Sequence, residues 1–218
     1  MSIRLFLADD HQVLRAGLRA LLETYPDLTI SGEAGNGLEA VRAVIKLRPD
    51  VAILDIAMPE LNGIEAARQI RSECPQTQVI ILSMYSSHQH IYQALKAGVR
   101  GYVLKEAAPD ELVEAIRAVQ AGQRYLSPKV ADELIEDYID ARPGGRTTDT
   151  ALDLLSERER TVLQLVVEGK SSTEIAELLV LSPKTVDSYR SRLMQKLGIT
   201  DLPGLVKFAI QQGLISLE

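Results

Sequence analysis

The sequence predicts an α/β fold, a five-stranded parallel doubly wound sheet, followed by a small all-α unit of four helices. Two observations predict it. Over residues 3–121, short apolar runs alternate with helix-period segments five times, the pattern of β-α units wound into one parallel sheet with helices on both faces. After residue 152 the strand signals stop, and only helical patterns with cap residues remain.

Strands are expected at Ile3–Ala8, Leu28–Glu33, Val51–Leu54, Gln78–Leu82 and Gly101–Leu104, each a short apolar run bounded by polar or turn residues. Between them, His11–Thr24, Gly37–Leu47, Gly63–Glu73, Gln89–Ala97 and Pro109–Ala121 follow a helical period. Right-handed crossovers put all five strand C-termini on one edge, where open α/β sheets bind ligands. Ser127-Pro128, a cap residue followed by proline at the first helical position, opens a further helix to about Ala141. The stretch ARPGGRTTDT at 141–150 ends it and reads as a linker. The chain thus divides into residues 1–123, a connecting region 124–151, and residues 152–218. In the last part, SERE from Ser156 and SSTE from Ser171 are capping boxes. LSP at 181–183 starts a third helix and DLPG at 201–204 a fourth, about Pro203–Gln212.

Composition narrows the function classes. At 218 residues and 46% hydrophobic, the chain is long enough for two packed domains. A single cysteine, Cys74, excludes an internal disulfide framework or a cysteine-based zinc site, and reads as inert packing or surface. Residues 1–8 lack the basic start and long apolar run of a signal peptide, and no apolar stretch is long enough to span a membrane. The expectation is a cytoplasmic protein. A net charge of −6 argues against wholesale nucleic-acid coating but permits a local site.

The chemistry gathers on the predicted edge. Asp9 and Asp10 follow the first strand, Asp55 ends the third, Ser83 follows the fourth, and Lys105 follows the fifth. A single strand-end aspartate is ordinarily a helix cap or a solvated residue; five convergent polar positions call for another reason. Three carboxylates repel one another unless a cation neutralises them, and hard oxygen ligands favour Mg²⁺. A lysine and a hydroxyl beside them suit phosphoryl oxygens. Asp55 is then placed to attack phosphorus and carry it as an acyl phosphate.

This constellation resembles the flavodoxin-like receiver domain of two-component response regulators, over roughly residues 3–121. The matching residues are Asp9-Asp10, Asp55 with Met58-Pro59 and Gly63, Ser83, Tyr102 and Lys105. The resemblance implies that Asp55 is the phosphoacceptor, and that Mg²⁺ is held by Asp9, Asp10 and Asp55. It further implies that Lys105 and Ser83 contact the phosphoryl group, and that Tyr102 changes rotamer with Ser83. Tyr102 also fits a plain packed core residue. GYVLKEAAPDEL resembles the NarL/FixJ-like subgroup. Glu106 stands where many receivers have proline, and a cis bond before it would cost about 3 kcal/mol.

Three other signals are weaker. GNGLEA at 35–40 matches a dinucleotide fingerprint, but it lies in the second β-α turn, while the first carries two acids that repel pyrophosphate. Gly35 and Gly37 more simply shape a turn. His11 reads as a helix-start residue beside the acids, and His88 and His90, two apart, point to different sides of a helix. Haloacid dehalogenase-like phosphatases also use a strand-end aspartate, but with a second aspartate two residues on. Ala57 stands there, which suits a timer better than a hydrolase.

In the C-terminal part, STEIAELLVLSPKTVDSYRSRLMQKLGI reads as helix, turn, helix. Val186, Tyr189, Leu193 and Leu197 form the inward stripe of the second helix. Lys184, Thr185, Asp187, Ser188, Ser191, Arg192 and Gln195 fall on its far face, with Arg190 and Lys196 flanking to hold phosphates. A polar face is often merely solvated. From Leu155 to Ile215, however, the whole pattern resembles the LuxR-type helix-turn-helix domain, including LSERERTVLQLVVEGKSSTEIAELLVLSPKTV, KLGI and GLI. The resemblance implies DNA contacts by Lys184, Thr185, Asp187, Ser188, Arg190, Ser191, Arg192 and Lys196, and dimer contacts by the fourth helix. Asp187 and Tyr189 stand where basic residues and histidine are frequent; Asp187 is suited to accept from cytosine N4.

The combined reading is a response regulator of the NarL/FixJ type. It takes a phosphoryl group on Asp55 from a sensor histidine kinase, dimerises, and binds a double-stranded DNA operator to regulate transcription. It is not an enzyme beyond promoting its own phosphotransfer and slow dephosphorylation. The alternative is a phosphorylation-independent DNA-binding regulator whose receiver serves for dimerisation or docking.

Overall fold

A computed structural model describes residues 2–107, 109–140 and 151–215, the side chains of 137–140 excepted. The chain divides into two compact units, Met1–Gly144 and Gly145–Glu218. The stretch read as a linker lies outside the described residues.

The first unit is the wound sheet with strands β1 (Ile3–Ala8), β2 (Leu28–Ala34), β3 (Val51–Leu54), β4 (Gln78–Ser83), β5 (Gly101–Leu104) and β6 (Tyr125–Leu126). Between them run helices α1 (Gln12–Leu22), α2 (Gly37–Leu47), α3 (Gly63–Glu73), α4 (His88–Lys96) and α5 (Pro109–Gln120), and α6 (Pro128–Asp140) follows. The strand order is β2-β1-β3-β4-β5-β6, with every pairing parallel. Strands β3 and β5 are buried throughout, as parallel strands covered on both faces must be. Among the described residues, no helix is long and apolar enough to cross a membrane.

Among the described residues the sheet has six strands, not the expected five. Tyr125–Leu126 is too short to show a period, and its pairing is decided by the edge it meets. Without it, β5 would present unpaired backbone groups at the sheet margin. With it, the Tyr125 N–H donates to the Arg100 carbonyl at 3.0 Å and the Ser127 N–H to the Tyr102 carbonyl at 2.9 Å.

Two glycines mark close approaches. A Cβ on Gly37 would lie 1.8 Å from the Leu61 carbonyl oxygen, and one on Gly63 1.9 Å from that of Asp55. The GNGLEA stretch is therefore explained by packing: its second glycine lets α2 touch the loop after β3.

The second unit holds a 3-10 turn at Ala151–Leu154, then α7 (Glu157–Val167), α8 (Ser172–Leu179), α9 (Pro183–Leu197) and α10 (Leu202–Gln211). Capping boxes at Ser156 and Ser171 start α7 and α8. Ser182 caps α9 with Pro183 behind it, and Asp201 caps α10. Helix α9 packs on α7 and α8, and α10 on α7. In the turn between α8 and α9, Val180 adopts left-handed φ 56° while 87% exposed. A β-branched residue there is strained by about 1–2 kcal/mol. Val180→Gly is expected to stabilise this unit by about 1 kcal/mol, the relief being partly offset by glycine's entropy. Denaturant unfolding of the full chain, followed at α8 by hydrogen exchange, checks this.

Candidate functional site

Parallel register builds the site. Ala8 and Leu54 are paired partners on adjacent strands, so Asp9 and Asp55 emerge side by side, and the Asp55 N–H donates to the Ala8 carbonyl at 2.8 Å. Ser83 pairs with Leu104 across β4 and β5, so Lys105 emerges next to Ser83, its N–H donating to the Ser83 carbonyl at 2.8 Å.

Asp9 and Asp55 are each 3% exposed. Lys105 Nζ sits between them, 2.7 Å from Asp9 Oδ2 and 2.8 Å from Asp55 Oδ2. The other Asp55 oxygen accepts the Ile56 N–H at 2.7 Å, and Asp9 Oδ1 accepts that of His11 at 2.9 Å. Asp10 is more exposed, with His11 Nδ1 2.9 Å from its Oδ1. One ligand atom each from Asp9, Asp10, His11 and Asp55 lies within 4.8 Å of the others.

Burial pushes the Asp55 carboxyl up from its ordinary value, against the pull of Lys105. Burial is also the largest influence on the Lys105 ammonium, and lowers it. The two carboxylates together more than offset this, so Lys105 is raised and stays charged.

Ser83 and Tyr102 come together at a residue the sequence reading did not single out. The Tyr85 N–H donates to Ser83 Oγ at 3.0 Å, and the Tyr102 hydroxyl donates to the Tyr85 carbonyl at 2.6 Å. Tyr102 is fully buried, and burial raises its phenol. The only sequence signal for Tyr85 was its place two residues after a serine, where a local side-chain turn forms. Residue 106 is joined by a trans peptide; its carboxylate lies 2.9 Å from Lys129 Nζ.

On α9, Val186 and Leu193 are buried and Tyr189 and Leu197 half-buried. Lys184, Asp187, Ser188, Ser191, Arg192, Gln195 and Lys196 are exposed, with Thr185 and Arg190 half-buried. Several are already engaged within the unit. The Ser172 hydroxyl donates to Asp187 Oδ1 at 2.6 Å, and the Ser172 Oγ itself accepts from Arg190 Nη1 at 3.2 Å. Arg192 lies over the Tyr189 ring at 4.7 Å. Ser188 Oγ donates to the Lys184 carbonyl at 2.9 Å, while the Thr185 and Ser182 hydroxyls are 2.8 Å apart. Lys196 Nζ is 2.7 Å from the buried Glu159 of α7. Ser172 and Glu159 lie outside the helix-period face, which is why periodicity alone did not find them. Helix α10 presents an open apolar groove of about 650 Å³ along Leu202, Pro203, Val206 and Ile210.

Burial raises the Glu159 carboxyl, but Lys196 and the Ser156 donors together hold it below its ordinary value. A depressed carboxyl stabilises the fold above its unfolded value and loses that contribution as pH falls through its folded value. The helical unit is expected to lose stability below about pH 4.5, with Glu159→Gln removing part of the slope. Hydrogen exchange in α7 across an acid series reads this directly.

Residues 5–117 match the response regulator receiver domain, and residues 153–209 match the luxR family of bacterial regulatory proteins. The chain is 39% identical over 218 residues to the transcriptional regulatory protein MctR of Rhizobium johnstonii, covering 99% of this chain and 96% of that one. It is 34% identical over 215 residues to the oxygen regulatory protein NreC of Staphylococcus carnosus, covering 98% and 99%. A solved structure of the two-component response regulator RcsB with DNA aligns with TM-score 0.59 and 29% identity, covering 95% of this chain and 98% of that one. The chain therefore belongs to the two-component response regulators of the NarL/FixJ type, transcription regulators that join a receiver domain to a LuxR-type DNA-binding domain.

Proposed function

We propose that Asp55 is the phosphoacceptor and that a phosphohistidine on a sensor histidine kinase is the donor. The observation that carries this is the buried Asp9–Lys105–Asp55 arrangement, with Asp10 at its open side. An Asp55 carboxylate oxygen forms a bond to phosphorus while the histidine nitrogen–phosphorus bond breaks, the electron pair returning to the ring. Lys105, already charged between the two acids, holds a phosphoryl oxygen, and Ser83 donates to another.

The donor set fits Mg²⁺. Three carboxylates supply hard oxygens, and one lysine cannot balance their charge. Asp9, Asp10 and Asp55 would hold the ion. When bound, it neutralises charge on the carboxylates and the incoming phosphoryl group.

The DNA reading assigns Lys184, Thr185, Ser188, Ser191 and Arg192 to the groove-facing surface. Arg190 and Asp187 join through Ser172 at its edge, where Asp187 serves as an acceptor for cytosine N4. Lys196 is a weaker phosphate contact because Glu159 already occupies it. The apolar groove on α10 supports a homodimer through a second copy of this helix. In such a dimer the two recognition helices would meet half-sites about one DNA turn apart. A kinase donor and a DNA target together set the work in the cytoplasm.

Intact mass after incubation with acetyl phosphate tests the phosphoacceptor reading. One phosphoryl adduct is expected on the wild-type chain with Mg²⁺, and none without Mg²⁺ or in Asp55→Asn. An adduct that persists in Asp55→Asn would sink the assignment. No adduct, with metal binding verified and rapid hydrolysis excluded, favours a phosphorylation-independent DNA binder.

A further inference from the structure

Segment 125–130 does more than close the sheet. Ser127 is 2% exposed and makes hydrogen bonds in three directions. Its N–H donates to the Tyr102 carbonyl at 2.9 Å. Its hydroxyl oxygen accepts the N–H of Leu104, the residue before Lys105, at 3.2 Å. Its hydroxyl proton goes to Glu111 Oε1 in the first turn of α5. On the other side of Lys105, Glu106 pairs with Lys129 in the first turn of α6. Helix α6 begins on Ser127, whose carbonyl accepts the Ala131 N–H at 3.0 Å. Val130 is fully buried, and α6 packs on α4 and β5. Both neighbours of Lys105 are thus bonded to the start of α6.

We propose that Ser127 is a positioning residue that couples Lys105 and Tyr102 to α6, so that phosphoryl capture on Asp55 changes the docking of α6 on α4 and β5. This rests on the phosphoacceptor reading. In the structure Lys105 Nζ is held between the Asp9 and Asp55 oxygens. A phosphoryl group on Asp55 uses up one Asp55 oxygen as the anhydride bridge of an acyl phosphate and offers new acceptors farther out. Lys105 must be re-sited, and the backbone on either side of it takes up part of that movement. The Leu104 N–H is buried with Ser127 Oγ as its acceptor, and a buried donor does not give up its acceptor without penalty. Ser127 therefore moves with it. Tyr102 pulls on the same residue through its carbonyl. The exposed Glu106–Lys129 pair contributes little by itself and serves to steer the first turn of α6. From Pro128 the helix runs to Asp140, along the stretch of chain that leads to the DNA-binding unit.

Hydrogen exchange on the full chain tests this, before and after acetyl phosphate with Mg²⁺. Variants are compared at equal phosphorylated fraction, read by intact mass. In the wild type, peptides within 125–136 are expected to change exchange rate by about threefold or more on phosphorylation, with no change in Asp55→Asn. In Ser127→Ala that difference collapses, while Ser127→Thr, which keeps the hydroxyl, retains it. Glu111→Ala, which frees the same hydroxyl from its other end, also reduces the difference, and stands in if Ser127→Ala does not fold. The proposal is overturned if Ser127→Ala exchanges faster in α6 in both states yet keeps the full phosphorylation difference, since Ser127 is then purely structural. It is overturned equally by a phosphorylated wild type whose 125–136 peptides do not respond. A wild type that takes no phosphoryl group overturns the phosphoacceptor reading, and this coupling with it.

Discussion

Lys105→Ala is expected to destabilise the receiver unit by about 3–5 kcal/mol at neutral pH without divalent cations, the cost of leaving buried charge unpaired. Lys105 is the ion-pair partner of both Asp9 and Asp55, and Asp55 is raised by burial even with the lysine in place. Without it, two nearly buried carboxylates face each other. The pH dependence follows from the directions of the shifts. A raised lysine contributes stability below its unfolded value, near 10.5, and loses it as pH rises through the higher folded value. A raised carboxyl favours the folded state when protonated, so the deficit in Lys105→Ala shrinks as the solution is acidified toward Asp55's folded value. Urea unfolding at pH 7 and pH 5 measures this, and a deficit under about 1 kcal/mol at pH 7 would mean that water already screens the pair. Phosphoryl uptake from acetyl phosphate is expected to fall about 100-fold in the same variant, the usual loss when a donor to a reacting oxygen is removed.

Gly63→Ala is the second large effect. Its Cβ would lie 1.9 Å from the Asp55 carbonyl oxygen and 2.8 Å from the carbonyl carbon. Those atoms are backbone, so no rotamer change relieves the clash. The start of α3 or the end of β3 must move, at about 3 kcal/mol, the upper range for overpacking. Because the crowded residue is Asp55 itself, the damage reaches the chemistry. A displacement near 1 Å is enough to slow phosphoryl transfer about 100-fold. Thermal unfolding and the rate of phosphoryl incorporation check the two halves. A variant with wild-type stability and rate would show that the loop at 56–62 yields freely.

Much of this site is legible in the sequence alone. The apolar runs ending at Ala8, Leu54 and Leu82 set the polar residues that follow at strand ends. Parallel winding then forces Asp9, Asp10, Asp55, Ser83 and Lys105 onto one edge. The caps at Ser156, Ser171 and Ser182 were equally plain, because a cap is a local hydrogen bond between residues two or three apart. Long-range partners were not. Ser127 reads as the cap of the helix that follows it, yet its hydroxyl goes to Leu104 and Glu111. Lys196 reads as a flanking phosphate contact, but it lies against Glu159, 37 residues away.

By itself, then, the sequence determined the two-unit architecture, the order of the elements and the cluster of acids with one lysine. Each of these follows from local periodicity, capping and the handedness of winding, which neighbouring residues decide. Tertiary structure alone decided that a two-residue strand closes the sheet on β5, that Tyr85 is gripped by Ser83 and Tyr102, and that Asp187 and Arg190 share Ser172. It also decided that Gly37 and Gly63 admit a backbone where no Cβ fits. These depend on which surfaces meet when the elements pack, and on the demand that a buried polar group find a partner wherever in the chain one lies.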